Sequence, residues 1–247
     1  MSIASDIQEL DADEAQRSKR NRPSHTSNRW FEGSRLPDAD QLNRASEILN
    51  GSSRIAILAG RGALGARMEL EQTAELLAAP VAKALLGKAV LPDDHPHTTG
   101  GVGILGTMPS QEILKQCDAL LIVGSTFPYI EYYPEPGKAR GIQIDRDAQR
   151  IGLRYPVEAG LVGDAAASLR LLNERLVRKT ERGFLEQAQQ GMRRWREMMA
   201  LSEDKAEVPM KPQMVVKAFG RRMPDEAILV TDSGQNTELA ARHIDLK

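Results

Sequence analysis

Short apolar runs alternate along the chain with segments whose apolar residues recur at helical spacing. The helical pattern begins in residues 42–49, where the apolar positions are Leu42, Ala45, Ile48 and Leu49, and Gly51 follows where that helix would end. Further helices are predicted over residues 68–78, 110–116 and 165–177. The runs predicted to form strands are Ile55–Ala59, Val81–Leu85, Leu120–Val123, Ile142–Asp145 and Ala159–Val162. Such runs between helices indicate parallel strands buried on both faces, so the predicted fold is a doubly wound, Rossmann-like α/β sheet.

The same pattern divides the chain into four predicted segments. Residues 1–35 are polar, so we expect a tail or interdomain linker that packs little. Residues 36–178 form the predicted central nucleotide-binding-type domain. Residues 179–208 are predicted as a helical linker, charged over 182–202, whose Trp195 and Met198 dock on the sheet. Residues 209–247 begin a second α/β unit, with a helix at 213–222 and a strand at Ala227–Thr231, and we expect this unit to be truncated.

Composition and charge exclude several classes of protein. Of the 247 residues 41% are hydrophobic and 27% charged, which is ordinary for a soluble globular protein. A net charge of -1 argues against a nucleic-acid-binding protein, because there is no basic excess to neutralise phosphates. No apolar run reaches the roughly 18–20 residues that a membrane span needs, and the acidic first twenty residues are not typical of a signal peptide. The single cysteine, Cys117, fits a reducing compartment, so a cytoplasmic location is expected.

A glycine-rich loop follows the first predicted strand. Gly60, Gly62 and Gly65 have the spacing G-x-G-x-x-G between a strand and a helix, where absent side chains let backbone N–H groups approach a diphosphate. A dinucleotide site of the usual kind also needs an acidic residue about twenty positions later, and residues 81–86 contain none. The loop by itself is equally compatible with a tight turn.

Three further loops at predicted strand ends have chemistry suited to a cofactor. Gly100–Gly103 and Gly106–Ser110 make a glycine-rich approach to a helix that Ser110 is predicted to cap. Gly124–Tyr129 offers hydroxyls, backbone amides and two aromatic rings, and Asp145 ends a strand where it would accept from ribose hydroxyls. Ligands of open α/β sheets bind at the carboxyl ends of the strands, so we expect all four loops to share one rim.

These motifs resemble the thiamine-diphosphate enzymes that include pyruvate oxidase and acetolactate synthase. The resemblance is strongest over residues 54–177, and its specific motifs are Gly124–Tyr129, Ile142–Asp145, Ala159–Asp164, and Asp94–Pro96 followed by Gly100 and Gly103. Enzymes of this family have a pyrimidine-binding domain, a middle domain and a diphosphate-binding domain, and the flavin-containing members hold FAD in the middle one. By that resemblance the cofactor-binding residues are Gly106, Thr107, Met108, Pro109, Ser125, Thr126, Phe127, Pro128, Tyr129 and Asp145, with Gly60 and Gly62 near the diphosphate.

The resemblance also implies a function and its partners. The chain is expected to be the central domain, binding FAD or an ADP-type nucleotide, of a thiamine-diphosphate- and magnesium-dependent 2-oxo-acid oxidase or decarboxylase. The sequence departs from the pyruvate oxidase pattern at Thr107–Pro109, where small polar residues are usual. The catalytic glutamate and the G-D-G…N metal motif are expected to lie outside these residues, so the chain alone is expected to be inactive. A homo-oligomer is implied for the parent enzyme.

Two other functions compete with this one. A stand-alone nucleotide-binding or assembly module without catalysis stays open. An NAD-dependent deacylase of the sirtuin type would need a zinc site of four cysteines, and the chain has one cysteine.

Several chemically capable residues are expected to have structural roles. Cys117 is predicted to be a core residue, and His95 and His97 lack a third metal ligand. Lys83 and Lys88 are expected to be solvated. Glu69, Glu71 and Glu75 are expected on an exposed helical face, as are Arg178 and Arg182 on another.

Overall fold

The computed structural model describes residues 3–9, 24, 27, 33, 35–204 and 208–247. The chain divides into two compact units, residues 1–33 and residues 34–247, which are described separately. In the first unit Ser5–Gln8 forms a short helix, α1, that buries none of its residues. Most of the tail predicted over residues 1–35 lies outside the described residues, and the predicted segment boundaries at 36, 179 and 209 stay predictions.

The second unit contains one sheet of six parallel strands, which confirms the doubly wound α/β fold. The strands are β1 (Ile55–Ala59), β2 (Val81–Lys83), β3 (Thr98–Gly101), β4 (Ala119–Val123), β5 (Arg140–Asp145) and β6 (Ala159–Val162). Their order across the sheet is β3-β2-β1-β4-β5-β6, so the chain starts in the middle and winds outward in both directions. Every residue of β1 and β4 is buried, as expected for central strands covered on both faces.

Helices cover both faces of the sheet. They are α2 (Ala39–Gly51), α3 (Arg67–Leu77), α4 (Met108–Gln116), α5 (Ala165–Asn173), α6 (Gly183–Glu203), α7 (Pro212–Gly220) and α8 (Gln235–His243). One apolar core joins the sheet to α2, α3 and α5, and a second joins it to α4 and α6. Two local predictions need correction: α5 ends at Asn173 rather than near residue 177, and Thr107, not Ser110, caps α4 by accepting from the Ser110 N–H.

Two strands differ from the sequence-based prediction. The predicted glycine-rich loop at Gly100–Gly103 begins inside a strand, because Gly100 and Gly101 belong to β3, which pairs with β2. The hydroxyl of Thr99 in this strand is satisfied by bonds to Val81 O and Ser110. The strand predicted at Ala227–Thr231 does not form. No strand of the sheet pairs with this segment, and Ile228 and Val230 are 91% and 85% exposed, so neither hydrogen bonds nor burial stabilises it as a strand.

The long helix α6 packs on α4 through the residues Leu185, Ala188, Gly191 and Met192. Gly191 lies against Pro109, where an added Cβ would be 3.4 Å from the proline ring. Trp195 and Met198 both line the groove beside this contact, where Trp195 is half-buried and Met198 is 48% exposed. None of the helices in the described ranges is both long and apolar enough to cross a membrane.

Glu75, expected on a solvated face, is the centre of an ion-pair cluster. Its carboxylate accepts from Arg178 at 2.8 Å and from Arg182 at 3.0 Å, and it lies 3.1 Å from the ring of His97. The hydrogen bond from Arg182 outweighs burial and, with the bonds from His97 and Arg178, lowers the pKa of Glu75 to about 2. The cluster fastens the segment after α5 to α3.

Replacing Glu75 with glutamine removes the charge that Arg178 and Arg182 contact, so it should lower the free energy of unfolding at pH 7. The loss should be only about 1 kcal/mol, because the carboxylate is 43% exposed and solvent screens its ion pairs. The folded-state pKa of about 2 lies below the ordinary 4.5, so this contribution is complete above about pH 4.5 and is lost as the pH falls towards 2. Denaturant unfolding at several pH values would measure it. Glu197→Gln, an exposed change on α6, is the matched control. A Glu75→Gln loss that does not shrink on acidification would contradict the assignment.

Candidate functional site: a cleft at the switch point of the sheet

A cleft of about 620 Å³ opens at the carboxyl ends of the central strands. It lies where the chain winds away in opposite directions from β1 and β4, which is the usual ligand site of open α/β sheets. The residues that line it are Gly60, Arg61, Gly62, Gly65, Ala84, Leu85, Leu86, Gly124, Ser125, Thr126, Phe127, Pro128, Tyr129, Ile144, Asp145, Arg146, Arg150, Gly163, Asp164 and Ala165. Eight of the twelve predicted cofactor-binding residues are in this set, namely Gly60, Gly62, Ser125, Thr126, Phe127, Pro128, Tyr129 and Asp145.

The glycines of the first loop allow two loops to cross in contact. A Cβ on Gly60 would lie 2.5 Å from Gly124 O, and one on Gly62 would lie 2.8 Å from the Gly124 Cα. Gly124 itself has φ +57°, a conformation that favours glycine. The N–H of Gly60 donates to Val123 O at 2.9 Å and that of Gly62 to Gly124 O at 3.0 Å. These two amides are therefore engaged within the protein, and the expectation that Gly60 and Gly62 lie near a diphosphate stays a prediction.

The loop after β4 supplies the unengaged donors instead. Ser125 is buried, and its hydroxyl accepts from the Phe127 N–H at 3.3 Å. Among the described residues, the backbone N–H groups of Ser125 and Thr126 have no hydrogen-bond acceptor. Phe127 belongs to the apolar core, where it packs on Tyr133, whereas Tyr129 is exposed at the cleft. The loop thus presents two donors and one aromatic surface.

Asp145 ends β5 and is 7% exposed. One carboxylate oxygen accepts from the Asp147 N–H at 3.0 Å, which fixes the side chain, and the other oxygen has no partner among the described residues. The neighbouring strand end carries Asp164, whose carboxylate is used to cap α5 by accepting from Ala167 N. Each of these two acids of the cleft thus keeps one carboxylate oxygen without a partner among the described residues, and Asp145 is the more buried of the two.

Three arginines of the cleft were not among the predicted site residues. They are Arg61, Arg146 and Arg150, and Arg150 pairs with Asp147 at 3.4 Å. Arg61 lies between two predicted glycines, and Arg146 directly follows Asp145. The place of Arg61 and Arg146 beside the motif residues was the available signal, because side chains adjacent to a strand end share its rim.

The structure does not bring residues 106–109 into this cleft. Gly106 packs on the backbone of Gly101, and the Thr107 hydroxyl donates to Thr99 O. Met108 and Pro109 line a separate groove of about 200 Å³ between α4 and α6, with Trp195. The expected single rim therefore includes the loops after β1, β4 and β5, and a flavin contact at 106–109 stays a prediction.

The lysines expected to be solvated are instead part of a buried cluster. Lys83 is 1% exposed, and its Nζ lies 2.7 Å from Asp93 Oδ1 and 2.8 Å from Leu91 O. Lys88 Nζ lies 2.7 Å from the other carboxylate oxygen of Asp93. Burial acts to raise the pKa of Asp93, but the charges of Lys88 and Lys83 outweigh it and hold that pKa below its ordinary value.

The other candidate groups have structural surroundings. Cys117 is buried, as predicted, and burial raises its pKa to about 12. The ring nitrogens of His97 face Ala79 O at 3.0 Å and Glu75 at 3.1 Å. Within the described part of the chain, no group of three or more His, Cys, Asp or Glu side chains is placed to hold a metal ion.

Comparison with known proteins identifies a family whose domain coincides with the sheet and the cleft. Residues 42–172 match the family model described as the thiamine pyrophosphate enzyme, central domain. The chain belongs to the thiamine pyrophosphate enzymes. The match begins in α2 and ends in α5, so it covers the whole six-stranded sheet and the cleft.

Relatives from several bacteria extend this similarity. YdaP of Bacillus subtilis (strain 168), whose name describes it as thiamine pyrophosphate-containing, is 40% identical over 221 residues, covering 90% of this chain and 38% of that protein. Pyruvate oxidase of Lactiplantibacillus plantarum is 28% identical over 85% of this chain and 35% of its own length. The large subunit of acetolactate synthase isozyme 3 of Escherichia coli is 26% identical over 89% of this chain and 40% of its own length. The chain thus spans 35–40% of the length of these thiamine pyrophosphate enzymes.

Proposed function

We propose that the cleft binds the ADP portion of a nucleotide cofactor, either FAD or a smaller ADP-type ligand. The observation that carries this proposal is that two kinds of unengaged polar group line the cleft at the switch point of the sheet. Asp145 has an unshared carboxylate oxygen, and the backbone N–H groups of Ser125 and Thr126 have no acceptor among the described residues. A carboxylate there suits ribose hydroxyls, and backbone N–H groups suit phosphate oxygens.

The remaining cleft residues are compatible with such a ligand. A volume of about 620 Å³ lies within the roughly 300–1,000 Å³ typical of small-molecule sites. Arg61 and Arg150 add positive charge for a diphosphate, and Leu85 and Tyr129 offer apolar surface for a ring system. β2 ends in Lys83 without an acid, so the usual NAD mode has no support here.

We further propose that the complete protein is a thiamine-diphosphate- and magnesium-dependent oxidase or decarboxylase of 2-oxo acids, similar to pyruvate oxidase. Family membership and the similarity to pyruvate oxidase support this proposal. Within the described part of the chain no group of three or more His, Cys, Asp or Glu side chains is placed to hold a metal ion, so the cleft is not assigned to thiamine diphosphate or its metal. A cytoplasmic homo-oligomer is part of the same proposal.

Replacing Asp145 with alanine should weaken binding of ADP or FAD by about ten- to a hundredfold, because a hydrogen bond to a charged group contributes roughly 1.5–3 kcal/mol. Calorimetric titration of each nucleotide into the wild-type chain and the variant measures this effect. Asp145→Asn, which retains an acceptor for the Asp147 N–H, separates loss of charge from loss of the loop contact.

Asp94→Ala is the matched control, since Asp94 is an exposed carboxylate outside the cleft lining. We expect its affinity to equal that of the wild type. Equal affinities in all the proteins would remove Asp145 from the site, and an absence of binding by the wild type would refute the proposed ligand.

A further inference from the structure

The C-terminal arm, residues 208–247, is fastened to the carboxyl-end rim of the sheet. Asp93 and Leu246 exchange two hydrogen bonds: Asp93 N donates to Leu246 O, and Leu246 N to Asp93 Oδ2, both at 2.8 Å. Lys88 Nζ donates to Ala241 O at 3.1 Å. The buried Lys83–Asp93–Lys88 cluster is therefore also the attachment point of the arm.

The rest of the arm is thinly attached. α7 buries none of its residues, and the buried residues of the arm are Ala240, His243 and Ile244. Polar contacts join the arm to the end of α6: His243 lies 2.8 Å from Glu203, Lys217 lies 3.7 Å from Glu203, and Arg221 lies 3.4 Å from Asp204. Few apolar contacts and a polar attachment are features of segments that open locally at low free-energy cost.

The turn Leu85–Val90 connects this attachment to the cleft. Leu85 and Leu86 line the cleft, and Lys88 of the same turn holds the arm. Between them, Gly87 packs directly on the glycine loop, where an added Cβ would lie 2.8 Å from Ala59 O and from the carbonyl carbon of Gly60. So close a contact leaves no room for the turn to move independently of the cleft.

The loop after β3 makes a second connection. Gly103 lies against the ring of Phe127, a cleft residue, since an added Cβ would be 2.9 Å from its Cζ. The next residue, Ile104, accepts a hydrogen bond through its carbonyl from Arg242 of α8 at 2.6 Å. Two separate elements thus touch both the cleft and the arm.

We infer that nucleotide binding in the cleft and docking of the C-terminal arm are coupled, each favouring the other. The inference rests on the proposed nucleotide site. A ligand that packs against Leu85 and Phe127 holds both connecting elements in the positions that Lys88 and Arg242 need to retain the arm. Such coupling is reciprocal. Releasing the arm must therefore lower the affinity for the nucleotide by the same factor by which the bound nucleotide stabilises docking of the arm.

Hydrogen exchange and calorimetry on the full chain test this inference together. Saturating ADP should slow amide exchange in α8 by at least about fivefold in the wild type. Lys88→Met and Arg242→Met, neither of which lines the cleft, should each lose protection of α8 and bind ADP correspondingly more weakly. Lys115→Met, an exposed change on α4, should behave as the wild type.

The outcomes separate this inference from the function on which it rests. If ADP binds the wild type but α8 exchange is unchanged, and both arm variants retain wild-type affinity, the coupling is refuted while the nucleotide site stands. If ADP binds none of the proteins, the proposed site and the coupling fail together. Protection of α8 with a matching loss of affinity in the two arm variants, and none in Lys115→Met, establishes the coupling.

Discussion

Replacing Asp93 with alanine is expected to lower the free energy of unfolding by about 3–5 kcal/mol, the cost of removing one partner from a buried ion pair. The ammonium group of Lys83, which is 1% exposed, would be left with Leu91 O alone. The same change removes the acceptor for the Leu246 N–H, so the C-terminal arm should lose protection as well. Denaturant unfolding would measure the loss. We expect the dependence of the free energy of unfolding on denaturant concentration to be the same as in the wild type.

Two companion variants make this prediction specific. Asp94→Ala, one residue along and exposed, should change stability by less than about 0.5 kcal/mol. Combining Lys83→Met with Asp93→Ala should restore part of the loss, because the buried charge is removed together with its partner. A loss for Asp93→Ala no larger than that of the exposed control would show that the cluster does not stabilise the fold.

Replacing Gly124 with alanine is expected to cost about 3 kcal/mol of stability. Its φ of +57° alone disfavours alanine by roughly 1–2 kcal/mol. In addition, the new Cβ would lie 2.5 Å from the Gly62 Cα, so one of the two crossing backbones must shift, at a further cost of about 1–2 kcal/mol. Because both loops line the cleft, the shift should also weaken nucleotide binding.

Gly137→Ala is the matched control for the close approach of the two loops at Gly62 and Gly124. Gly137 has φ +84°, but an added Cβ would meet nothing within 4 Å, so only the conformational cost applies. The difference between the two variants in denaturant unfolding, expected at about 1–2 kcal/mol, measures the close approach of the loops. Equal losses would mean that the crossing accommodates a methyl group.

The central sheet could be predicted from sequence because its strands are apolar runs buried on both faces, a pattern that needs no knowledge of distant residues. β3 could not, since Thr98–Gly101 is polar and its hydroxyls are satisfied only by partners such as Val81 O. The segment at 227–231 shows the converse: an apolar run forms no strand without a neighbouring strand to pair with.

Part of the site could also be predicted from sequence, because it is formed by loops that follow neighbouring strands. Strands β1, β4 and β5 are neighbours, so their loops meet at the switch point and bring Gly60, Ser125 and Asp145 together. β3 lies two strands from β1, which carries residues 106–109 away from that point. Lys83 could not be assigned to a buried pair from sequence, because the turn that brings Asp93 back to it has no periodic pattern, and Leu246, which completes the cluster, comes from a distant segment.

The proposed function depends most directly on where a nucleotide binds. Adding ADP to the isotopically labelled chain and following backbone amide resonances by NMR locates the ligand without a variant. We expect the largest shifts at Ser125, Thr126 and residues 145–147, with small ones at Met108 and Trp195 in the groove between α4 and α6. Shifts concentrated in that groove, or none at saturating ADP, would contradict the proposed site.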